Sequence, residues 1–180
     1  MKRIFPSLCC LAPLCCFALC CVPALAQHHH AAKRAAAAAM TDQQFIAMAA
    51  QTDMLEAHLG QMAANQASRQ EVKDYAQMLV SDHTADYQQL GSLAAKDNLT
   101  VPNGLDAEHY RMVVPFEKLN GAAFDTRYVR EMIEGHTKAI AAYTREAADA
   151  QSPDVKAYAS ATLPTLEKHL EGAKNLLKKK

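Results

Sequence analysis

The sequence predicts an all-α fold, an antiparallel four-helix bundle with a crossover segment that contains a short extra helix. Three observations carry this. Apolar residues recur at three- and four-residue spacing through four long segments. Serine, threonine, proline and glycine signals mark where those segments start and stop. Two of the segments also echo each other, Val72-Lys-Asp-Tyr-Ala76 against Val155-Lys-Ala-Tyr-Ala159, as two helical hairpins would. At 180 residues the chain has one domain's length, enough for a hydrophobic core.

The first 26 residues stand apart. Lys2-Arg3 give a positive start, Leu8 to Val22 is uncharged, and Ala24-Leu25-Ala26 forms an A-x-A cleavage pattern. Residues 1–26 therefore read as a signal peptide that directs export to the periplasm or cell envelope. A retained anchor is the rival, because Leu8 to Ala26 is nearly long enough to span. Pro13 and Pro23 count against one continuous spanning helix, so no stable membrane span is expected after cleavage. All 6 cysteines lie in this segment, which leaves the mature chain without disulfides or thiolate ligands. Beyond it stand 17 Lys plus Arg against 19 Asp plus Glu, a balance that offers nothing to a nucleic acid. Residues 27–40, with His28-His29-His30 and an alanine tract, read as a flexible leader, and residues 41–180 as the folded domain.

The first helix opens on a capping box, Thr41 with Gln44. Its apolar stripe runs Phe45, Ala49, Thr52, Glu56, Leu59 and Ala63, which puts a carboxylate in the middle of the buried face. Ser68 with Glu71 predicts a second capping box and a second helix, whose seam is Val72, Ala76, Leu79, His83, Tyr87, Leu90 and Ala94. The short link makes these two helices antiparallel neighbours. Asn98, Pro102, Asn103 and Gly104 break the pattern. An amphipathic segment from Asp106 to about Leu119, with Pro115 inside it, then carries the chain along the bundle's length.

The third long helix starts at Gly121 and aligns Phe124, Tyr128, Met132, His136, Ala139 and Tyr143. Asp125 shares this face but lies about 16 Å from His136 along the axis, and reads as a helix-start charge bonded to a neighbouring loop. Ser152-Pro153 opens the fourth helix, with Val155, Ala159, Thr162, Leu166, His169, Ala173 and Leu176 on its seam. Pro164 lies within it and predicts a kink before His169.

Each long helix thus places one polar residue on its buried seam: Glu56, His83, His136 and His169. Counting from the turns puts all four near mid-bundle. One carboxylate and three imidazoles suit a single transition-metal ion, whether zinc, iron, copper or manganese. Asp82, Tyr128 and Thr162 are the candidates to hold the imidazoles' outer nitrogens. The alternative is a metal-free polar network that fixes helix register in a structural or interaction module. The methionines Met48, Met54, Met62, Met78 and Met132 read as core filler, and His58 and His109 as surface residues. No Ser/His/Asp set, phosphate loop or cysteine nucleophile appears, so the residues do not point to an enzyme.

Between Thr41 and Leu177 the chain resembles the DUF4142 family of bacterial exported proteins. The resemblance rests on Phe45-Ile-x-x-Ala49-Ala50 with Glu56, on Val72-Lys73 and Ala76 leading to Asp82-His83, and on Pro102. It continues through Gly121-Ala-Ala-Phe-Asp125-x-x-Tyr128, His136, and Ala159-x-x-x-Leu163-Pro164-x-Leu166-x-x-His169-Leu170. It implies a ferritin-like four-helix bundle and an envelope location, and no particular activity. Di-iron ferritin-like proteins carry glutamate three residues before histidine. Here Val80, Ile133 and Leu166 stand at those positions, which argues against a di-iron oxidase.

Overall fold

The computed structural model describes residues 40–178. The expected signal peptide and all of the leader but Met40 lie outside the described residues, as do Lys179 and Lys180. The described residues form an all-α structure: α1 (Asp42–Gln66), α2 (Gln70–Asp97), short α3 (Ala107–Val113), a 3-10 turn (Val114–Phe116), α4 (Gly121–Asp149) and α5 (Pro153–Lys178). No helix among them is long and apolar enough to cross a membrane.

The starts of α1 and α5 follow the sequence signals. Thr41 and Gln44 exchange both bonds of the capping box. Ser152 Oγ accepts from the backbone N–H groups of Asp154 and Val155 at 3.1 and 3.3 Å. The start of α2 corrects its signal. Arg69 is the N-cap and makes no side-chain cap bond. Ser68 instead donates its hydroxyl to Asp125 at 2.5 Å, and the backbone N–H groups of Ser68 and Arg69 donate to the same carboxylate at 3.0 and 3.1 Å. Asp125 does from another helix what the local box was expected to do. The amphipathic segment after Asp106 is shorter than expected, because Pro115 lacks an N–H and the chain tightens into the 3-10 turn after Val113. In α5 the helix runs on through Pro164.

The link from α2 to α4 is laid along α1 and stapled there by three glutamines. Gln43 exchanges bonds with the backbone of Thr100, and Gln51 bonds Gly104 O and Asp106 N. Gln66, at the far end of α1, donates to the carbonyls of Phe116 and Leu119 at 2.9 Å each. Apart from Gln51, buried where the stripe predicted solvent, these residues sit at the edge of the core.

The core is two apolar clusters. One gathers Leu59, Leu79, Phe116, Phe124, Tyr128, Met132 and Leu176. The other gathers Phe45, Ile46, Leu90, Tyr143, Val155, Tyr158 and Leu166. On every long helix the predicted polar residue falls at the boundary between the two: Glu56, His83, His136 and His169 are all buried. Thr52, Tyr87 and Thr162, expected on the seams, are only half-buried. Ile46, Ala50, Asp53, Tyr75 and Tyr158 take buried positions beside them.

Asp125 can be tested apart from the polar layer. Asp125→Ala should destabilise the domain by about 2 kcal/mol, because two backbone N–H groups and a hydroxyl lose a charged acceptor. Urea unfolding measures this, and a change below about 0.5 kcal/mol would show that the clamp is dispensable.

Candidate metal centre

The polar layer is a cluster of three imidazoles around one carboxylate. Ring centroids of His83, His136 and His169 stand 5.8, 5.4 and 5.2 Å apart in the three pairings. One ligand nitrogen from each lies within 4.8 Å of the others. Glu56 Oε2 is 2.9 Å from His83 Nε2 and 3.3 Å from His136 Nε2. The first contact is an ion pair, whereas the second sets a carboxylate oxygen against a nitrogen of an imidazole that burial keeps from charging. Of the eight buried side-chain atoms among the described residues that lack a geometrically complete hydrogen bond, four are the inner atoms of this cluster: Glu56 Oε2, His83 Nε2, His136 Nε2 and His169 Nδ1. Buried polar atoms without partners are rare, and here each of the four residues predicted from the seams supplies one.

The other nitrogen of every imidazole is held. His136 Nδ1 is 2.8 Å from Met132 O. A carbonyl only accepts, so this nitrogen carries the proton and Nε2 keeps its lone pair for the cluster. His169 Nε2 donates to Asp82 Oδ2 at 2.9 Å, which leaves Nδ1 as the inner nitrogen. His83 Nδ1 donates to Asp53 Oδ1 at 2.8 Å. Glu56 needs room as well, and Gly135 provides it: a Cβ there would stand 3.2 Å from Glu56 Oε1.

Of the residues expected to hold an outer nitrogen, Asp82 lies against His169. Asp53 is the residue that sequence reasoning missed, although it sits one turn before Glu56 on the same helix and shares its side. Tyr128 does not hold an imidazole. Its hydroxyl is buried without a partner, and its ring stacks on Phe124 at 5.7 Å. Thr162 donates to Tyr158 O of its own helix. His58 is exposed, and His109 pairs with Asp106 at the start of α3.

Burial and charge divide the protons among these groups. Burial opposes charge on His83, but Glu56 and Asp53 on either side outweigh it and raise its pKa from 6.5 to about 10. Burial likewise works against the Glu56 carboxylate, and the three imidazoles, His83 foremost, hold its pKa below the usual value. Burial raises Asp53 to about 7 despite its bond to His83. His136 is lowered by burial, with Glu56 opposing. His169 is lowered to about 4, again chiefly by burial, with Asp82 opposing. The ionised pair is thus Glu56 with His83, and the other two imidazoles are neutral donors.

The donor set fits a metal. Three imidazole nitrogens and a carboxylate oxygen, all carried on helices and with each imidazole oriented from outside, suit a borderline divalent ion.

Comparison with known proteins agrees with the fold. The family model DUF4142, a domain of unknown function, matches residues 26–176, and the chain belongs to that family. The structure of CopM in the Cu(II)-bound form matches at 18% identity with TM-score 0.67, covering 79% of this chain and 99% of that one. CopM in the Cu(I)-bound form matches at 15% identity with TM-score 0.65, over 78% and 97%. CopM in the Ag-bound form, obtained by co-crystallization, matches at 18% identity with TM-score 0.62, over the same shares. At these identities the likeness is one of fold. No curated protein matches the sequence.

The proton arrangement has a direct readout in chelator-treated protein. Nitrogen-15 NMR at pH 8 should show His83 as imidazolium, with His136 and His169 neutral and protonated on Nδ1 and Nε2 respectively. A raised folded-state pKa stabilises the fold fully below the unfolded value, and that contribution fades as pH climbs through the folded one. The His83 contribution should therefore be complete below about pH 6.5 and lost through about pH 10. A neutral His83 at pH 7 would contradict this charge assignment.

Proposed function

We propose that this member of the DUF4142 family is an exported, envelope-located metal-binding protein that holds one transition-metal ion at mid-bundle through Glu56, His83, His136 and His169. The observation that carries the reading is the convergence of four buried donor residues, one from each long helix, with Glu56 and His83 paired to each other and the inner nitrogens of His136 and His169 without a hydrogen-bond partner. Asp53, Asp82 and the Met132 carbonyl orient the imidazoles from outside. Among borderline ions, copper(II) and zinc(II) suit three nitrogens and one oxygen, while iron and manganese remain within the same donor chemistry. That CopM, with the same fold, is described in Cu(II)- and Cu(I)-bound forms supports copper as the first ion to try.

The reading also takes residues 1–26 as a signal peptide, 27–40 as a leader and 41–180 as the metal-holding domain. It treats the four long helices as a ferritin-like antiparallel bundle. Support comes from the order in which the chain visits the two apolar clusters: one to the other in α1, back in α2, then the α2 direction again in α4 and the α1 direction in α5. That order needs a long crossover between α2 and α4, and the glutamine-stapled link supplies one. Nothing in the site calls for turnover, so binding rather than catalysis is the activity proposed.

One observation favours a second reading. His83 lies between two carboxylates, Asp53 and Glu56, and can balance Glu56 with a proton alone. On that reading the cluster is a metal-free polar network that fixes the register of an envelope interaction module.

Elemental analysis separates the two. The chain with His28, His29 and His30 changed to serine, dialysed against copper(II) or zinc(II), should retain one equivalent. His83→Ala and His169→Ala should each abolish retention. Asp53→Ala, which frees the outer nitrogen of His83, should weaken affinity by about 10- to 100-fold. No retained metal, with a melting temperature indifferent to chelator, would favour the polar network.

A further inference from the structure

The buried cluster needs a way in, and its two flanks differ in chemistry. Between α2 and α5 lies a cleft of about 310 Å³ whose inner end is formed by the buried His83 and His169. Asp82 and Asp86 line it, with Thr165 on the outer rim and Lys168 also in its lining. Asp82 connects the two ends, since its side chain is 39% exposed while its Oδ2 accepts from the almost fully buried His169. On the opposite flank, a pocket of about 340 Å³ reaches Glu56; its wall is mainly apolar, with Met48, Met112 and Met132 in it, and Glu131 and His109 also line it.

A hydrated dication cannot shed its water against thioethers and leucines without a large desolvation penalty. Carboxylates, hydroxyls and amides can replace that water stepwise, and two carboxylates in a narrow cleft concentrate cations at its mouth. The inner end of the cleft is formed by two of the four donor residues, His83 and His169. A cation passing Asp82 would meet these two residues first, since Glu56 is not in the cleft's lining.

Resting on the metal-site reading above, we propose that the α2–α5 cleft is the inlet through which a hydrated divalent cation reaches the site, with Asp82 as the carboxylate that passes it to the imidazoles. The site thus loads from one side only. Its rate is set by the cleft, and its affinity by the four buried donors.

The test is stopped-flow mixing with Co(II), followed by d–d absorption, on the full chain with His28, His29 and His30 changed to serine. Thr165→Trp places a bulky ring on the exposed rim of the cleft, without touching a donor. It should slow loading and chelator-driven unloading by a common factor of about ten, with Kd and the one-ion stoichiometry unchanged. Lys138→Trp, on the rim of the methionine-walled pocket, should leave both rates as they were. Should Thr165→Trp misfold by circular dichroism, Ala161→Trp, one turn away on the same rim, takes its place. Slowing by Lys138→Trp rather than by the cleft variants would overturn the inlet, as would rates indifferent to both. Failure of the unsubstituted chain to bind Co(II) at equilibrium would be a different result. It would remove the metal site itself, and the inlet with it.

Discussion

The structure depends on a carboxylate held at 3% exposure in the middle of a helical core. Removing a charge from water is costly unless opposite charge and oriented dipoles replace the lost hydration. Glu56 has that charge from His83 on α2, while His136 from α4 and the more distant His169 from α5 close the same layer around it. The requirement fixes more than the four side chains. It demands that α1, α2, α4 and α5 meet in one register, and that α4 pass close enough to Glu56 for Gly135 to have no Cβ. It also divides the core in two, because apolar residues cannot occupy the layer the imidazoles fill.

The three imidazoles are held in three different ways, and the differences matter. His136 is tied to a carbonyl of its own helix, so its orientation is as fixed as the helix. His83 is tied to the buried Asp53, which shares its charge and keeps it protonated against burial. His169 is tied to Asp82, which is partly in water. The cluster therefore has an inner end enclosed by protein and an outer end whose support reaches water.

Much of this could be read from residue spacing. Glu56, His83, His136 and His169 each interrupt an apolar stripe, and helix geometry converts their distance from the turns into height, so their meeting follows from arithmetic on one dimension. What spacing could not supply was rotation about each helix axis. Asp53 lies about 60° from Glu56 on α1, within the width of a buried face, yet the stripe was drawn through Thr52. Tyr128 failed for the opposite reason. It has the right face and a hydroxyl, but it sits two turns before His136, and its ring packs among Phe124 and Tyr75 in one apolar cluster. Ser68 and Glu71 looked like a capping box because local sequence cannot show that Asp125, 57 residues on, competes for the serine. Local signals held at Thr41, and at Ser152, whose hydroxyl donates to the distant Asp97 while its oxygen still accepts from the first turn of α5.

The unlike flanks of the site follow from the chain's path. Helices α2 and α4 run in the same sense between the apolar clusters, so the link between them must return the length of the domain. It does so along α1, held by Gln43, Gln51 and Gln66, and its short helix α3 brings His109 and Met112 over the flank where Glu56 sits. That flank becomes a walled apolar pocket. The α2–α5 flank is not crossed by the link, and the residues along it are small or polar: Ala85, Asp86, Ala161, Thr162 and Thr165. Small side chains at that seam keep the two helices from sealing over His83 and His169. The crossover that lets the four helices share one polar layer is therefore also what gives that layer a covered side and an open one.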